Sequence, residues 1–127
     1  MDNRKQAQTL FHSWGTANIL YTDSTVTVKE LTFATLAKTS LHYHMRRYET
    51  LYVQSGSFSI RKYNADKDVF ETVPLNPGMT FTVPRGAIHQ VECLTHGVLI
   101  ETSLTYEEED VLRIFDESLI RRGPSLR

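Results

Sequence analysis

His42-Tyr43-His44-Met45-Arg46-Arg47-Tyr48-Glu49 is the stretch on which the reading of this chain turns, and Gly56 follows Glu49 by seven residues. Residues two apart on a strand face the same side, so His42 and His44 can present two imidazoles to one point. Glu49 lies five residues beyond His44, an odd step, and joins the same site only if residues 45–48 bend the chain. Gly56 suits a hairpin turn closing a strand that carries Glu49, Leu51 and Val53 on one face. A fourth candidate comes later: Asn76-Pro77-Gly78 and Pro84-Arg85-Gly86 bracket one short strand, and His89 opens the next. Imidazoles plus a carboxylate, with coordination positions left open, suit one divalent Fe, Mn, Zn, Ni or Co ion held for catalysis, and ligand type does not choose among these metals.

Outward from this stretch the pattern is all-β. Short segments rich in Thr, Val, Phe and Tyr, punctuated by turn residues, run over positions 25–103. Positions 25–36 carry Val26, Val28, Leu31 and Phe33, with a slip of parity between Val28 and Leu31 that predicts a bulge, in one long strand or two short ones. Ser55-Gly56 and Asn64-Ala65-Asp66 predict hairpin turns. Beyond position 104 the period changes: Val111, Ile114, Phe115 and Leu119 fall on one helical face, and Thr105 with Glu108 has capping-box spacing. The acidic run at positions 107–110 then reads as the solvated first turn of that helix. The expectation is one domain over 1–127: an N-terminal arm over 1–24, a barrel over about 25–104 and a short helix over about 106–121.

Composition bounds the partners. With 14 Lys and Arg against 15 Asp and Glu, and a net charge of −1, the chain lacks the massed positive charge of a nucleic-acid binder. A single cysteine, Cys93, excludes an intrachain disulfide. No apolar stretch reaches the roughly 18 residues of a membrane span, and the first ten residues lack a signal-like apolar core, so a cytoplasmic address is expected. His12 and His96 read as solvent-facing, and Trp14 as a packing anchor.

The spacing His42-x-His44-x4-Glu49-x6-Gly56 resembles the first cupin motif, and the stretch from Gly78 through Pro84 and Gly86 to His89 resembles the second. Leu36 stands where the first motif has its leading glycine, and Cys93 where the second has its closing asparagine. The resemblance implies a single cupin β-barrel, a jelly-roll-like double sheet, with one metal ion held by His42, His44, Glu49 and His89. Ser13-Trp14-Gly15, Arg47, Ser55-Gly56, Ile100-Glu101 and Glu109-Asp110-Val111-x-Arg113 extend the likeness to small sugar cupins of the mannose-6-phosphate isomerase type. That implies a metal-dependent aldose–ketose isomerase of a sugar or sugar phosphate, with Glu49 or Glu101 as the proton-relaying carboxylate. Arg46, Arg47 and Arg85 are then candidates for a substrate phosphate. An Fe(II) dioxygenase and a non-catalytic metal- or sugar-binding module are the alternatives. An apolar, aromatic outer face predicts a homodimer.

Overall fold

The computed structural model describes residues 2–105, 110–118 and 120. Among these, nine strands form: β1 (Gln8–His12), β2 (Gly15–Thr22), β3 (Val26–Phe33), β4 (His42–Tyr43), β5 (Glu49–Asn64), β6 (Val69–Leu75), β7 (Thr80–Val83), β8 (His89–Leu104) and β9 (Leu112–Arg113). The neighbour order is β1-β2-β3-β8-β4-β9, while β5 pairs with β6, β7 and β8. Every pairing is antiparallel, so one sheet curls into a barrel. No helix among the described residues is long and apolar enough to cross a membrane.

The core lies inside the curl. Phe33, Phe58, Leu51, Ile60, Val53, Leu99 and Cys93 are fully enclosed, and Phe33 meets Phe58 edge-on with centroids 5.4 Å apart. Such edge-to-face contact puts the positive rim of one ring against the negative face of the other. Burial pushes the Cys93 thiol up from its ordinary value, which disfavours the reactive thiolate and makes Cys93 a small core residue.

Four local expectations are corrected. The turn at Ser55-Gly56 does not end a strand: β5 continues through it, and the pairing with β8 shifts register between Val53 and Phe58. Gly56 sits there at φ 77°, and a Cβ on it would stand 2.6 Å from the Cα of Gly97, so two backbones cross where no side chain fits. The bulge expected in β3 lies in its neighbour instead: β3 keeps an unbroken register with β8 from Val26↔Leu104 to Phe33↔Gly97, while the pairing with β2 shifts between Ile19 and Tyr21, opposite Lys29 and Val28. The parity slip arises because polar Thr27 and Lys29 share the inward face with Leu31 and Phe33. Residues 8–22 of the expected arm form β1 and β2, which extend the sheet from β3. The expected C-terminal helix gives way at Leu112–Arg113 to a strand paired with β4, and Ile114 N–H donates to the Leu41 carbonyl. A two-residue strand with an open edge leaves backbone groups to satisfy, and that demand overrides the 3.6-residue pattern. Positions 106–109, 119 and 121 of that helix lie outside the described residues.

β5 and β8, sixteen residues each, form the longest ladder, with Glu49 opposite Ser103 at one end and Lys62 opposite His89 at the other. Straight, the thirteen residue steps from Glu49 to Lys62 would span about 43 Å at about 3.3 Å per residue. Instead Glu49 Oε1 lies 3.4 Å from His89 Nε2. The ribbon has curled until its two ends touch.

Candidate metal centre

Three imidazoles meet at that junction. His42 reaches it from β4 and His89 from β8, which are register partners, while His44 sits just past β4 where the chain turns toward β5. Their ligating atoms all lie within 4.8 Å of one another. The bend needed over residues 45–48 is held by Asp110, a buried residue whose carboxylate accepts from the backbone N–H groups of Met45 and Arg46. Asp110 is therefore a structural tie rather than a solvated first-turn charge.

Each histidine is fixed in the same tautomer. Nδ1 of His42 bonds the Ser40 carbonyl at 2.7 Å, Nδ1 of His44 the Asp110 carbonyl at 3.0 Å, and Nδ1 of His89 the Ala87 carbonyl at 2.9 Å. A carbonyl only accepts, so each Nδ1 must carry the proton, and in the neutral ring each Nε2 presents a lone pair. Burial, with His89 close by, pushes His42 down to about 3, and burial also lowers His44, so both are neutral at physiological pH.

Glu49 completes the cluster, with Oε1 3.4 Å from His89 Nε2 and 3.8 Å from His44 Nε2. Burial alone would raise its carboxyl, but a hydrogen bond from the His89 ring in its doubly protonated form and the Arg47 guanidinium outweigh burial and hold it low. Lone pairs and a carboxylate at these distances repel unless a cation stands among them. His89 Nε2 and Glu49 Oε2 are buried with no hydrogen-bond partner among the described residues. Arg47 supplies part of that positive charge: its Nη2 lies 3.1 Å from His44 Nε2 and 3.4 Å from Glu49 Oε2. The donor set, neutral nitrogen lone pairs plus one carboxylate oxygen, fits a divalent first-row ion.

A cavity of about 150 Å³ opens over the cluster, with Trp14, Lys29, Arg47, Glu101, Val111 and Arg113 among its walls. Glu101 is enclosed beside Glu49, and burial together with the Glu49 charge raises its carboxyl to about 8, so it keeps its proton at neutral pH.

A family model described as Cupin matches residues 3–102. The chain belongs to the cupin family. Solved structures agree on the fold. The capsular polysaccharide assembling protein CapF of Staphylococcus aureus superposes with a TM-score of 0.74 at 16% identity over 89% of this chain, which spans only 34% of CapF. An RmlC-like cupin of Shewanella frigidimarina gives 0.66 at 23% identity, over 82% of this chain and 88% of that one. A tryptophan-to-phenylalanine variant of the oxalate decarboxylase of Bacillus subtilis gives 0.73 at 15% identity, over 94% and 35% respectively. No curated protein matches the sequence.

In this cupin the residues singled out from sequence do not all gather at the site. His42, His44, Glu49, His89, Arg47 and Glu101 line the one cavity. Arg46 and Arg85 are not among its lining side chains; Arg85 Nε donates to the Arg46 carbonyl and its guanidinium lies 4.8 Å from the Tyr48 ring. Lys29 and Arg113 line the cavity without having been read as site residues, although the parity slip in β3 was a trace of the first and the sugar-cupin pattern contained the second. Exposed His12 stacks on Trp14, which stacks on Phe33, so both faces of the indole are covered and Trp14 acts as an anchor.

The titrations of this cupin oppose one another, and metal-stripped protein is expected to be most stable near about pH 6.5. His42 and His44 bind protons more readily unfolded, so their contribution is complete above 6.5 and is lost as pH falls, that of His42 toward about 3. Glu49, depressed to about 2, loses its contribution in the same direction below 4.5. Glu101 binds its proton more tightly folded, so its contribution is present below 4.5 and is lost as pH rises through about 8. Urea denaturation across pH checks this, with Glu101→Gln expected to remove the alkaline decline and to steepen the rise between about 4.5 and 6.5.

Proposed function

We propose that His42, His44, Glu49 and His89 hold one divalent metal ion, and that the chain interconverts an aldose and a ketose, its substrate being a sugar or sugar phosphate. A divalent ion in this donor set supplies a Lewis acid for a carbonyl and the hydroxyl beside it. The observation that carries the isomerase reading is Glu101, a second carboxyl enclosed in the same cavity and standing outside the ligand set. Isomerisation takes a proton from the carbon bearing the hydroxyl and returns it to the former carbonyl carbon, while the hydroxyl proton passes to the carbonyl oxygen. One shielded carboxylate oxygen on Glu101 serves both carbon steps without losing the proton to water. Glu49, held ionised among the imidazoles, is committed to the ligand set. A buried carboxyl that can carry a proton from one carbon to the next favours this reading over an Fe(II) dioxygenase, whose oxygen insertion needs no carbon-to-carbon proton transfer. The fold likeness to a protein named for capsular polysaccharide assembly is in keeping with a sugar substrate.

The test combines elemental analysis of protein purified without added metal with a screen of aldose and ketose phosphates and free sugars, run with the metal found. Turnover is expected to rise with pH toward about 8 as Glu101 ionises, and Glu101→Gln should lower kcat by at least about 100-fold with metal content unchanged. Full metal loading without any isomerisation, or oxygen consumption with Fe(II) in its place, would overturn the assignment.

A further inference from the structure

The register across three strands puts an unassigned cation beside the ligand cluster. His42 of β4 is opposite His89 of β8 on one side and opposite Arg113 of β9 on the other. Directly paired residues share a face of the sheet, so Arg113 stands in one row with two of the imidazoles, and its side chain lines the cavity. Arg113 takes part in no hydrogen bond or ion pair among the described residues. Arg113 is exposed while it lines the cavity, so its guanidinium is open to a negatively charged ligand that enters from solvent.

The charge count points the same way. Lys29, Arg47 and Arg113 line the cavity against two carboxylates, Glu49 and Glu101, so positive charge prevails even with both acids ionised. A bound divalent ion adds to the excess. A guanidinium offers a planar fork that matches a carboxylate or phosphate through two parallel N–H bonds. The cavity, about 150 Å³, matches the volume of the engineered cavity that admits one benzene ring, so the enclosed part of a ligand is small.

We propose that Arg113 is the anion-binding residue of this cavity, and that the substrate is a small polyhydroxy compound carrying a carboxylate or phosphate rather than a neutral sugar. The inference rests on the metal-site reading above and narrows its substrate class. Glycerol, glycerate and glycerol 3-phosphate share adjacent oxygens and differ in charge, which makes them suitable probes in titration calorimetry of the Mn(II)-loaded protein. At least one anion should bind about tenfold or more tightly than glycerol, and which anion wins separates carboxylate from phosphate recognition. Arg113→Gln should erase that preference with glycerol binding unchanged, and Arg113→Lys should keep part of it. Equal binding of all three probes, or a preference that survives Arg113→Gln, would overturn the inference. Manganese content measured on the same samples keeps the two readings apart. A wild-type protein that takes up no metal removes the metal reading and this inference with it, while a loaded protein indifferent to charge removes this inference alone.

Discussion

Alanine at His89 is expected to drop bound metal from near one equivalent to below about a tenth, in protein that keeps its β-sheet signature. His89 Nε2 is enclosed against Glu49 Oε1 with its proton committed to the opposite nitrogen, so an ion loses both a ligand and the geometry that orients the carboxylate. Altering a group that merely orients a ligand costs about 10- to 100-fold in affinity, so removing the ligand itself should exceed that range. His96→Ala is the matched control, since that side chain is exposed and outside the cavity. Plasma emission spectrometry on dialysed samples, with circular dichroism for the fold, decides it; retention of metal by His89→Ala would remove His89 from the ligand set.

Alanine at Gly56 should destabilise the chain strongly, by about 3–5 kcal/mol. The backbone there is left-handed at φ 77°, and the new Cβ would meet the Cα of Gly97 and the carbonyl of His96 at 2.6 Å, with no flexible side chain to yield. Gly97→Ala meets the carbonyl of Ser55 at 2.4 Å across the same crossing. The two substitutions act on one feature, so their effects should fall well short of adding. The crossing sits where the β5–β8 pairing changes register, between the two ends that meet at the imidazoles, so metal uptake should fail along with stability. Urea denaturation of each single variant and of the double variant measures the first effect, and metal content the second. A loss under about 1 kcal/mol would show that the crossing relaxes.

The candidate site was largely legible in the sequence because strand parity and turn residues act locally. His42 and His44 share a face by spacing alone, and the odd step to Glu49 required a bend at residues 45–48, where one occurs. What supports the bend could not be read, since Asp110 arrives from 65 residues away to bind Met45 N–H. A comparable separation hid the place of Arg113, which stood in the sugar-cupin pattern but in a neighbourhood of helical periodicity, and which pairs with the two-residue strand β4. Gly56 was legible as a glycine that the backbone demands, but a hairpin turn and a bend within a continuous strand ask for the same residue. Lys29 left a visible sign, the disturbed alternation of β3, which read as a bulge because nothing local distinguishes an inward-facing lysine from an extra residue. In each case the local requirement was visible and the long-range pairing that explains it was not.

The meeting of Glu49 with His89 also bears on the order in which the chain is assembled. Contacts between residues far apart in sequence wait for the loop between them to close, and this one waits for a ribbon to complete its curl. The ligand cluster is thus the clasp of the ring, the place where success of the whole pairing register is tested. An ion seated there acts as a rivet on the finished barrel, and it has nothing to hold until the rest of the sheet is in place.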